Sequence, residues 1–188
     1  MTANPATTYY FSISNISAMP NRFSKNKFLR LIISLGVCLL VGYLGSLYAI
    51  PMIPSWFSSL EKPPFLPPDQ FLVPIGALMY VLLGLAMYSI WQADLSKKDT
   101  MLCFVLFVFG LCLNVLWVYM LFGLRSPFMA LVIMIMLLGI LVTTLYQSLR
   151  VTVAAALFLT PYLIVSIIAA YANFLIYIMN PQLSLIVL

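Results

Sequence analysis

Charged residues are spaced so widely along this chain that the intervals between them are long enough to cross a membrane. No Asp, Glu, Lys or Arg falls between Arg30 and Glu61, Asp69 and Asp94, Asp99 and Arg125, or Arg125 and Arg150, nor after Arg150. Each interval exceeds the ~20 residues that mark a spanning helix. Only 7% of the chain is charged and 64% is hydrophobic, whereas an ordinary soluble domain is about a quarter charged. A soluble fold is excluded. The expected fold is an all-α membrane protein, a bundle of five transmembrane helices at about 29–49, 71–91, 101–123, 127–149 and 152–179. Residues 1–28, polar and without an acidic residue, read as a disordered N-terminal tail. Residues 29–180 form the membrane domain, and 181–188 a short C-terminal tail.

The charges that remain act as punctuation. Seven of the nine Lys and Arg lie in the N-terminal flank, the 92–100 connector and the turn at Arg150. Lys62 and Arg125 hold the other side, which argues for an N-terminus inside and a C-terminus outside. The net charge of +5 is therefore a topology signal. No basic, aromatic-interleaved patch speaks for a nucleic-acid partner, and the partner in view is the lipid bilayer. The first apolar segment is too long for a cleaved secretory signal.

The connectors are short, which makes consecutive helices antiparallel neighbours, with one exception. Seven of the twelve prolines fall between Pro51 and Pro74. Proline fixes φ and withholds an amide, so Pro51–Pro68 is expected to be an extended, stiff loop capping the bundle. Pro127 suits the first turn of helix four, and Pro161 is expected to kink helix five. Gly42 and Ser46 form a small-xxx-small pair that lets a neighbouring helix approach helix one closely.

The chemistry within the spans is narrow. The chain has no His, and no ionisable Asp, Glu, Lys or Arg lies inside a span. Proton relays and ion-coupled transport normally need such groups, and general acid–base catalysis needs a titratable side chain at the site. No catalytic or metal-ligating residue is expected, and no cofactor is required. Cys38, Cys103 and Cys112 all lie in apolar segments, with Cys103 and Cys112 on opposite faces of one helix; they read as packing residues. Neutral polar groups are what remain. Asn114 and Trp117 share a face of helix three, and Asn173 lies on helix five beyond Tyr162. A buried Asn needs a partner, so these side chains should face the interior, as interhelical ties or ligand contacts. Trp56, Phe57, Tyr80, Trp117, Tyr119, Phe122 and Tyr162 are candidates to line an apolar pocket. Leu141, Tyr146 and Arg150 fit a permissive cholesterol pattern.

Three motifs carry a family resemblance. The first is Trp56-x3-Leu60-x-Lys62-Pro63-x3-Pro67-Pro68-x2-Phe71, continued by Pro74-x5-Tyr80-x3-Gly84-x-Ala86. The second is Leu113-Asn114-x2-Trp117 with Phe122-Gly123. The third is Pro161-Tyr162-Leu163 followed by Ala169 and Asn173. In these, over about 42–180, the chain resembles the translocator protein family, that is, TspO tryptophan-rich sensory proteins and the peripheral benzodiazepine receptor. The resemblance implies a five-helix bundle, often homodimeric, with a ligand cavity opening under the first loop. It implies porphyrins (protoporphyrin IX or haem), cholesterol or drug-like compounds as ligands. Trp56 to Pro68, including Pro67, would be the lid, and Tyr80, Asn114, Trp117 and Asn173 would line or brace the cavity.

The chain departs from that pattern at Gly76 and Val165, where the family commonly has tryptophans implicated in porphyrin binding and light-dependent porphyrin breakdown. Three tryptophans remain, Trp56, Trp91 and Trp117. Loss of two rings should enlarge the cavity and remove redox-active groups. The function expected is therefore binding or sensing of porphyrins or other apolar ligands, with a role in tetrapyrrole transport or regulation. Porphyrin-degrading enzyme and passive lipid or sterol translocator are the alternatives. A bacterial inner membrane is the expected location, with the mitochondrial outer membrane as the alternative.

Overall fold

A computed structural model describes residues 22–182, with side chains described from Lys27 onward. Among these residues there are five long helices and no strand: α1 (Arg22–Met52), α2 (Asp69–Gln92), α3 (Lys98–Val118), α4 (Pro127–Val151) and α5 (Val153–Met179). All five are long and apolar enough to cross a membrane. The fold is the expected five-helix bundle. Its first helix starts earlier than expected: residues 22–28, assigned above to a disordered tail, are helical. The readings of residues 1–21 and 183–188 lie outside the described residues.

Around the bundle α1 packs on α2, α2 on α5, α5 on α4, α4 on α3, and α3 back on α1. The short connectors implied that α2 and α3 would also pack closely. They meet at only a few positions, and α5 is the main second neighbour of α2. The connector between them is held by Asp94, whose carboxylate accepts hydrogen bonds from the Ser96 hydroxyl at 2.8 Å and its amide at 3.0 Å. Those two bonds stabilise the ionised form and hold the Asp94 carboxyl below its usual range.

Two glycines set how closely α1 and α2 approach. A Cβ at Gly42 would lie 2.5 Å from the ring of Tyr80, and one at Gly84 would lie 3.0 Å from the Leu35 Cα. Gly42 therefore does bring a neighbour close, as the small-residue spacing suggested. At the far end Arg30 donates to the Trp91 carbonyl at 3.1 Å and lies over the indole.

The proline loop is only half extended. α1 continues through Pro51, and the chain then keeps turning, with the Ile53 amide donating to the Ala49 carbonyl and the Ser58 amide to the Ile53 carbonyl. A single 3₁₀ turn follows at Phe57–Ser59. Ser55 also donates its hydroxyl to the Pro51 carbonyl and Ser58 to the Pro54 carbonyl, each at 2.8 Å. Each proline withholds only its own amide, and the amides of Ile53 and Ser58 still close turns, so helical turns persist at a proline density that suggested extended chain. From Leu60, with ψ of 148°, the backbone runs to the cap of α2 at Pro68 without helix, broken by one turn in which the Leu66 amide donates to the Pro63 carbonyl at 3.1 Å.

Candidate functional site

Between the loop-side halves of the helices lies a cavity of about 460 Å³ whose walls are almost wholly apolar. The end of α3 shapes one wall. After Val118 the helix widens into a π turn over Tyr119–Gly123, closed by the Leu124 amide on the Tyr119 carbonyl at 2.9 Å. Such widened turns often occur at functional sites. Here the turn points Leu121 and Phe122 into the cavity, where the Phe122 ring meets that of Phe57 at 5.4 Å between centroids.

The polar side chains expected at membrane depth come together in two linked groups. Tyr80 donates to the Asn114 Oδ1, and the Asn114 Nδ2 donates to the Tyr162 hydroxyl at 2.7 Å, which ties α2, α3 and α5. One turn away the Trp117 Nε1 donates to the Asn173 Oδ1 at 3.1 Å, and the Asn173 Nδ2 donates to the Pro127 carbonyl at 2.8 Å. That second group ties α3, α4 and α5. Bonds between helices satisfy these groups internally, as burial in an apolar medium demands. The side chains line the cavity with much of their hydrogen-bonding capacity already used, so the space they enclose favours apolar contents.

Of the nine residues read from the sequence as site candidates, Tyr80, Asn114, Trp117, Phe122, Tyr162 and Asn173 line this cavity. Trp56, Pro67 and Pro68 do not, and the loop reaches the cavity instead through Ile53, Phe57 and Leu66. The correction follows from the helical start of the loop. Successive helical side chains diverge by about 100°, so with Phe57 turned inward Trp56 packs half-buried at the edge of the buried cluster of Ile53, Phe57 and Leu60. Gly45, Ser46, Met79 and Ser166 are wall residues that the sequence did not single out as such. The small-residue spacing on α1 was the available signal, since small side chains leave a concave wall as well as a close contact. Both departures from the family pattern, Gly76 and Val165, also face the cavity, and a Cβ at Gly76 would meet nothing within 4 Å.

The loop end is fastened. Asn180, just beyond α5, accepts from the Glu61 amide at 3.1 Å and donates to the Glu61 carbonyl at 3.0 Å. Lys62 is paired with both carboxylate oxygens of Asp69 at 2.8 Å and lies over the Phe57 ring. Phe65 stacks on Tyr171 of α5. The cholesterol pattern on α4 does not form one surface: Leu141 is in the core, whereas Tyr146 is exposed with Arg150 over its ring. Among the described residues no cluster of His, Cys, Asp or Glu has the makings of a metal site.

Comparison with known proteins covers the same region. A sequence model of the TspO/MBR family matches residues 34–179. A tryptophan-rich protein TspO of Chlorobaculum tepidum is 34% identical over 154 residues, 81% of this chain and 97% of the relative. One from Archaeoglobus fulgidus is 33% identical over 157 residues, with the same coverage of 81% and 97%. A translocator protein of Bos taurus is 34% identical over 124 residues, 65% of this chain and 73% of the relative.

Proposed function

The chain belongs to the TspO/MBR family, and from that premise we propose that it is an integral membrane binding protein or sensor for porphyrins or other bulky, mostly apolar ligands. The observation that carries this reading is the apolar cavity of about 460 Å³ edged by Asn114, Trp117 and Asn173. Its volume is within the range of about 300–1,000 Å³ typical of small-molecule sites. Apolar walls with a few placed polar groups match that class of ligand. Two relatives matched over 81% of this chain come from a bacterium and an archaeon, which supports a prokaryotic cell membrane, here read as a bacterial inner membrane, over the mitochondrial outer membrane as its location.

Trp117 is the only one of the three tryptophans in the cavity wall; Trp56 packs on the loop and Trp91 sits by Arg30 at the far end. Protoporphyrin IX titrated into the purified protein is expected to quench tryptophan fluorescence saturably. Trp117→Phe should remove most of the quenching amplitude while porphyrin absorbance still reports binding. A flat titration, or quenching that keeps its full amplitude in the variant, counts against this cavity as a porphyrin site.

The enzyme alternative is tested under illumination. With Gly76 and Val165 in the wall, no indole other than Trp117 is available beside a ligand to relay electrons. Bound protoporphyrin is expected to lose absorbance no faster under light than with an unrelated membrane protein. Faster loss, abolished by Trp117→Phe, would favour a porphyrin-degrading activity.

A further inference from the structure

We propose that the cavity is loaded sideways from the lipid, through a portal between the loop-side halves of α1 and α2. A residue that faces a cavity and is also exposed marks its mouth. Every wall residue on α3, α4 and α5 is buried or half-buried. The exposed ones are Leu39, Tyr43 and Ile50 of α1 and Val73 and Ala77 of α2, with Tyr43 at 59%. The two helices touch closely at Gly42 with Tyr80 and at Leu35 with Gly84. Toward the loop they leave a gap, at whose edge Gly76 has no neighbour within reach of a Cβ.

The end facing water is shut by comparison. Ile53, Phe57 and Leu60 of the loop are buried, and the Asn180 clamp on Glu61 and the Lys62–Asp69 pair hold the loop down. The family resemblance implied a cavity opening under that loop; here the exposed wall is on the side. A mouth of Leu, Ile, Val, Ala and Tyr within a spanning region admits neutral, bilayer-dissolved molecules. It disfavours charged solutes, which pay to leave water for hydrocarbon. The ligand-binding reading gives the portal its purpose, but the portal can be tested without any ligand.

Ser166, buried on α5 and part of the cavity wall, is changed to Cys in a Cys112→Ser background, since Cys112 is the exposed native thiol. The protein is reconstituted in phosphatidylcholine vesicles and treated with either a neutral, lipid-soluble maleimide or a sulfonated one, and modification at position 166 is followed by mass spectrometry. The sulfonated reagent should react on the order of 100-fold more slowly than the neutral one. Tyr43→Ala should speed the neutral reaction several-fold, Ala77→Trp should slow it, and Asn180→Ala should leave it unchanged. Comparable rates for the two reagents would overturn the portal. So would a neutral rate raised by Asn180→Ala but indifferent to positions 43 and 77. Absence of modification in a Ser166→Cys protein that melts like its parent would also overturn it.

Discussion

Gly84→Leu is expected to lower stability by about 2–3 kcal/mol, the upper part of the range for overpacking a filled site. The reason is the identity of the obstructing atom. A Cβ at position 84 would come within 3.0 Å of the Leu35 Cα, and backbone in a helix cannot rotate away as a side chain can. α1 and α2 must separate, and the displacement carries Gly42 off the Tyr80 ring. Tyr80 would then be drawn from Asn114, its hydrogen-bond partner on α3. The internal control is Gly36→Leu, because a Cβ at Gly36 meets nothing within 4 Å. Replacing a helical glycine there should be neutral or favourable by up to about 1 kcal/mol. Thermal melts in one detergent decide the matter. If the two leucine variants melt together, the close α1–α2 contact does not exist as described.

Asn173→Leu should cost about 2 kcal/mol, roughly 1 kcal/mol for each of two interhelical hydrogen bonds in a membrane setting. Asn173 is 2% exposed and joins the Trp117 indole of α3 to the Pro127 carbonyl at the start of α4. Leucine fills similar space but leaves the Trp117 N–H facing an apolar cavity without an acceptor. That penalty disappears if the donor is removed too. The double variant Trp117→Phe/Asn173→Leu should therefore be less damaged than the sum of its single changes. Strict additivity would show that the two side chains do not interact. Asn173→Leu should also weaken porphyrin binding beyond its effect on melting, because the freed indole can turn out of the wall it now helps to form.

Much of this protein could be read from residue order alone. Charge spacing determined five spans, because an ion in hydrocarbon is costly and its absence over a membrane-length interval is a physical signature. Buried Asn114 and Asn173 had to find partners, since an unpaired amide in that medium is unfavourable, and the sequence placed them on inward faces without naming those partners. Other features depended on three-dimensional placement. Pro51 and Pro54 signalled extended chain, yet the non-proline amides of Ile53 and Ser58 still find carbonyls and helical turns continue. Those turns put Phe57 in the wall and left Trp56 outside it. The neighbour of α2 also lay beyond sequence reasoning: a short connector brings α3 back beside α2, but packing made α5 its larger contact. Local composition thus determined which segments enter the membrane and which side chains must be satisfied there. Only the tertiary structure decided which helices meet, where α1 and α2 part, and so where a cavity lies and which way it faces, because those depend on the fit of distant surfaces.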